Sequence, residues 1–148
     1  MPKLRLVLLV GLWLLLAGSA QADLIYRIVF LSPGQVVPVV GPGACCTGFG
    51  SYIYDTMTHL LDFDVTLSGL TGNEIATHVH GPAGFGTNGP EIFTLPPGLH
   101  KVGTLGPLDG TQFSQYLDEF WYMDIHTDLF PGGEMRGQFQ APDAGMAR

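Results

Sequence analysis

The clearest pattern in the chain is HLLDFDVTLSGL, where Leu61, Phe63, Val65 and Leu67 alternate with Asp62, Asp64, Thr66 and Ser68. A period of two places the four apolar side chains on one face and the four polar ones on the other. That predicts an antiparallel strand packed on one side and wet on the other. The same reading makes LIYRIVFL (24–31) a strand stopped by Ser32-Pro33-Gly34, and TGFGSYIYD (47–55) a strand with Phe49, Ser51 and Ile53 opposite Tyr52 and Tyr54. Between them, 35–40 is broken by Pro38 and predicts a short extended segment at a sheet edge. Further strands are expected over 75–81, around 91–95, over 101–105, 120–127 and 134–140, the last two joined across Pro131-Gly132-Gly133. Helix spacing competes in one place: Phe113, Tyr116, Leu117 and Phe120 recur at i, i+3, i+4 and i+7 behind Asp109 or Thr111 as N-cap, predicting a short helix over 109–119 that packs its aromatic stripe. Seven or eight short antiparallel strands, frequent Gly/Pro turns and one helix imply an all-β fold, a Greek-key β-sandwich.

The first residues change the picture of where this sandwich works. Lys3 and Arg5 precede an apolar run from Leu6 to Ala17, then small residues ending Ala20-Gln21-Ala22. The run is short for a membrane span, so 1–22 reads as a signal peptide cleaved between Ala22 and Asp23. The expected domain is then 23–141 with a fraying tail at 142–148, in a secreted or periplasmic protein without a membrane span after cleavage. Without the leader, four basic residues remain against thirteen acids, a formal charge of −9. That charge argues against nucleic acid and anionic membranes as partners and favours the gathering of cations. Cys45 and Cys46 are adjacent and close no stabilising loop; they are left as reduced thiols, a strained vicinal disulfide or bonds to other chains.

Candidate chemistry lies in two stretches, THVHGPAG (77–84) and DIHTDLFPGGEMRGQF (124–139). In a strand, His78 and His80 share a face, as do Tyr122, Asp124 and His126. A histidine on a strand face is most often solvated or hydrogen-bonded. Three imidazoles from two neighbouring strands, however, match the ligand set of a mononuclear metal site, with copper favoured and zinc as the alternative. Asp124, Glu91 and loop carbonyls are candidates to fix the second ring nitrogens. Arg136 is expected to pair across strands with Asp124 or Asp128 and is also a candidate for holding an anion. There is no G-x-S-x-G, Walker-type or Rossmann glycine motif.

Taken in order, LSPGQVVPVV, the alternating strand ending at Leu70, THVHGPAG with Gly89-Pro90 downstream, and DIHTDLFPGGEMRGQ resemble the CHRD domain, a module first described in chordin and common in secreted microbial proteins. The resemblance covers nearly all of 23–148 and implies an exported binding or structural module that contacts macromolecules. The Cys45-Cys46 pair departs from it, standing where a small-residue, Thr-rich turn is expected. HVHGPAGFGTNGPEIF is more distantly similar to the copper-binding strand and following loop of Cu/Zn superoxide dismutases. That similarity implies a superoxide dismutase-like sandwich with His78, His80 and His126 as copper ligands, and a copper- or zinc-dependent redox enzyme as the alternative function. Glu91 stands in the place of the bridging histidine, the zinc ligands have no counterparts, and the loop between His126 and Arg136 is short, all of which argue against dismutase activity.

Overall fold

The computed structural model describes residues 21–41 and 43–142; the predicted leader, apart from its last two residues, and most of the predicted tail lie outside them. Eight strands form: β1 (Leu24–Leu31), β2 (Thr47–Asp55), β3 (Leu61–Ser68), β4 (Glu74–His80), β5 (Glu91–Thr94), β6 (His100–Leu105), β7 (Tyr122–Thr127) and β8 (Met135–Gln140). Among the described residues one α-helix forms, α1 (Gly110–Leu117), between β6 and β7. The strands are hydrogen-bonded in the order β5-β4-β7-β8-β1-β2-β3-β6, all antiparallel. The halves are joined along β1 and β8 by two ladder pairs, Ile28↔Gln140 and Val29↔Phe139, and by a bridge just beyond β1, Ser32↔Arg136, so the sheet folds there into a sandwich. The chain crosses between halves after β3 and again after β5, and β6 returns beside β3, which is a Greek-key connection.

The alternation in β3 is realised along its whole length, with Leu61, Phe63, Val65 and Leu67 buried and their neighbours exposed. Facing them are Val79, Trp121, Met123, Ile125, Met135 and Phe139, each fully buried. Tyr52 ties the halves together: its ring lies 4.1 Å from that of Phe139, and its hydroxyl donates to Met123 Sδ at 3.3 Å. Each such side chain contributes about 1.5–3 kcal/mol by leaving water, so the core holds the inner faces of β4 and β7 in fixed register. Glycine permits a close approach of β8 to β1. A Cβ on Gly137 would lie 2.5 Å from Val29 Cγ2 and 2.6 Å from the Phe30 carbonyl oxygen.

Two expectations are corrected. Residues 35–40 form no strand; Pro33–Gln35 is a 3-10 turn. Pro38 has no N–H for a ladder, and the Gln35 side chain substitutes for one by donating to the Phe30 carbonyl and accepting from the Gln138 N–H. The helix forms with a reciprocal capping box between Asp109 and Gln112, but only part of its stripe is covered. Tyr116 is buried and Phe113 stacks on Tyr54, whereas Leu117 and Phe120 stay exposed because the helix stops at Leu117 and Glu119 turns left-handed at φ 60°.

Candidate metal centre

Because Val79, Met123 and Ile125 point inward, the residues alternating with them point outward on the same half of the sandwich. Register then sets the neighbours: His78 lies opposite Asp124, His80 opposite Tyr122 and Ala76 opposite His126. The outer face of β4 and β7 therefore carries His78, His80, Asp124 and His126 together. The chain leaves His80 through Gly81, where a Cβ would sit 2.4 Å from Trp121 Cδ1. The H-x-H-G order thus lets the backbone turn over the indole and run back as a loop over the site.

One donor atom from each of the four residues lies within 4.8 Å of every other. Asp124 Oδ1 is at the centre, 3.1 Å from His126 Nε2, 3.2 Å from His80 Nε2 and 3.8 Å from His78 Nδ1. The loops orient two of the rings. His80 Nδ1 is 3.0 Å from the Gly89 carbonyl oxygen and His126 Nδ1 is 2.9 Å from that of Pro131. A carbonyl can only accept, so each Nδ1 carries the proton and, in the neutral ring, each Nε2 presents a lone pair. Those lone pairs face a carboxylate oxygen that can also only accept. His80 Nε2, His126 Nε2 and Asp124 Oδ1 are accordingly buried without a hydrogen-bond partner.

Three acceptors pointed at one another need a cation between them, either protons or a metal ion. The titration behaviour shows the same demand. Burial disfavours the Asp124 anion, yet the His126 and His80 rings hold its pKa down to about 2. Burial likewise disfavours a His80 cation, but Asp124 more than offsets this and raises its pKa; hydrogen bonding to Asp124 raises that of His126 against the cost of burial. Three imidazole nitrogens and one carboxylate oxygen fit a transition-metal ion.

All three histidines expected to converge do so. Asp124, expected to orient a ligand, brings its own oxygen into the cluster, and of the expected orienting groups it is the loop carbonyls, those of Gly89 and Pro131, that hold two of the rings. Glu91 stands at the rim, Oε2 being 3.7 Å from His78 Nε2 with the side chain 46% exposed. The expected ion pair of Arg136 does not form with Asp124 or Asp128, although Arg136 lies opposite Asp124 in register. Its guanidinium instead lies flat on Tyr122, 3.6 Å from the ring centroid, and donates to Asn88, Gly84 and Gln138. Tyr122 stacks in turn on His80, with the planes 3° apart. Cys45 and Cys46 are both free, and burial, followed by the nearby Glu134, pushes the Cys46 thiol up to about 12, far from a metal-binding thiolate.

No helix among the described residues is long and apolar enough to cross a membrane. No curated protein and no solved structure matches the chain, so the superoxide dismutase resemblance rests on the H-x-H motif and the sandwich alone. The model of the CHRD domain matches residues 29–139, three quarters of the 148 residues. The match begins within β1, ends within β8 and takes in every residue of the histidine cluster together with the loops that orient its rings: the chain belongs to the CHRD domain family.

Proposed function

We propose that the chain is an exported binding module, secreted or periplasmic, that holds one transition-metal ion on the outer face of β4 and β7. His80 and His126 bind through Nε2 and His78 through Nδ1, with Asp124 Oδ1 as the fourth donor. The carrying observation is the set of buried, mutually facing acceptors with no donor among them. Copper is the favoured ion because imidazole suits it and the affinity order among divalent metals peaks there; zinc is the alternative. Bound copper would supply a one-electron couple, and bound zinc a redox-silent cross-link.

The chain's own residues do the rest. The Gly89 and Pro131 carbonyls hold the rings with lone pairs inward, Asp124 offsets the ion's charge, and Met123 and Ile125 keep the strand beneath it dry. Binding is favoured over catalysis because catalytic ions keep a position open, and Asp124 fills the one that three histidines would leave. The test is metal analysis of protein purified from its exported compartment. Wild type should carry close to one copper or zinc per chain and His80→Ala far less; equal metal in both rejects the site.

A further inference from the structure

Arg136 is a buried cation, 3% exposed, with no carboxylate in ion-pairing contact among the described residues. A guanidinium does not shed its proton; Asp124, opposite in register, favours its charge through space, but no anion touches the group, and a buried charge without a contacting anion is costly. All its protein acceptors are neutral: Asn88 Oδ1 at 3.2 Å from Nη1, with Gln138 Oε1 at 3.1 Å and the Gly84 carbonyl at 3.4 Å from Nη2. These occupy three of its five N–H groups, leaving Nε–H and one Nη1–H without a protein acceptor. Tyr122 covers one face of the group. Arg136 also lines a cleft of about 240 Å³, together with Gln138 and the apolar side chains of Val36, Val37, Val39 and Phe85.

We propose that this cleft binds a small monocarboxylate with a short apolar tail, its carboxylate on Arg136 and its tail against the valines and Phe85. Size sets one bound: at about 30 Å³ per water, the cleft holds on the order of eight waters, which suits a ligand of roughly that many heavy atoms. Charge sets the other. One guanidinium balances one negative charge, and no second Lys, Arg or His lines the cleft, so a dianion such as phosphate is poorly served. The apolar walls contribute through burial only if the anion carries hydrocarbon. The cleft uses none of the four residues of the histidine cluster, and the ligand is tested on metal-free protein.

The experiment is titration of the full exported chain, stripped of metal by a chelator, with butyrate, its neutral analogue butyramide and inorganic phosphate, followed by calorimetry and by amide resonances. Butyrate should bind saturably and shift Val36, Val39 and Gly86, with butyramide and phosphate at least tenfold weaker. Equal binding of butyrate and butyramide, phosphate matching butyrate, or no butyrate binding overturns the proposal. Arg136→Gln should abolish binding. Because Arg136 is buried, Val39→Asp provides the second variant: Val39 is 69% exposed at the mouth, so the fold should hold while the added charge weakens butyrate at least tenfold. Unchanged affinity in V39D also overturns the site.

Discussion

Glu74 and Asp124 are both carboxylates drawn out of water on the same half of the sandwich, and they are treated in opposite ways. Glu74, at the start of β4, accepts from Lys101 Nζ and the Thr77 hydroxyl on one oxygen and from the Gly98 N–H, at 2.9 Å, on the other. Lys101 is itself buried and donates onward to the Pro96 carbonyl. Every polar group there has a partner of opposite character. Asp124 Oδ1, on the neighbouring β7, meets the acceptor nitrogens of His80 and His126, with His78 Nδ1 at 3.8 Å, and has no hydrogen-bond partner. A satisfied buried carboxylate is part of the framework; one surrounded by acceptors is half of a site whose other half comes from outside.

The largest effect should come from unbalancing the satisfied region. Lys101→Met leaves the Glu74 carboxylate buried without its cation, and breaking such a pair costs about 3–5 kcal/mol. Urea unfolding at neutral pH should show that loss, while metal content per folded chain stays at the wild-type level. Combining it with Glu74→Gln should recover most of the stability, because the orphaned charge goes too. The pH dependence has a definite sign. Burial resists ionisation of Glu74, but Lys101, Thr77 and Gly98 hold its pKa below the usual carboxylate value. A depressed folded pKa means stability that is present above the unfolded value, about 4.3, and lost as pH falls through the folded one. In Glu74→Gln that portion of the acid limb should disappear.

The unsatisfied region should respond to metal instead. An ion that binds only the folded chain stabilises it by about 2.7 kcal/mol at a hundred times its dissociation constant. Thermal unfolding with added copper should rise accordingly in wild type and in Lys101→Met, and stay flat in His126→Ala. A rise of wild-type size in H126A would mean that the ion binds elsewhere and would dissolve the contrast between the two carboxylates.

Much of this was legible in the sequence because period-two alternation reports which face a residue occupies. It placed His78 with His80, and Asp124 with His126, before any register was known. Register itself was not legible, since it is set by the packing of Val79, Met123 and Ile125 on the opposite half. Asp124 therefore became a ligand-oriented oxygen only once β7 lay against β4. The Glu74–Lys101 pair left no trace, because it joins β4 to β6 across 27 residues and neither residue interrupts a pattern. Arg136 differs for a related reason: register does set it opposite Asp124, but its guanidinium lies over the Tyr122 ring, a placement without a periodic signature. The stretch at 35–40 departs from its pattern because a glutamine side chain can replace a strand's hydrogen bonds without any periodic signature.

The smallest effect tests whether burial, rather than residue type, separates a site from a surface contact. His100 and Asp64 repeat the chemistry of the centre on the other half of the sandwich: a histidine nitrogen 2.9 Å from a carboxylate oxygen, between strands β6 and β3. Here both side chains are more than half exposed, at 59% and 62%. Water can supply every donor the pair lacks and screens its attraction, so exposed pairs of this kind are worth about 0.2–1 kcal/mol at most. His100→Gln should therefore cost no more than that in urea unfolding, with the slope of the transition and the metal content unchanged. A measurable loss of bound metal in this variant would show that a strand-face histidine beside a carboxylate suffices for binding, and that the buried acceptors around Asp124 are not what distinguishes the centre.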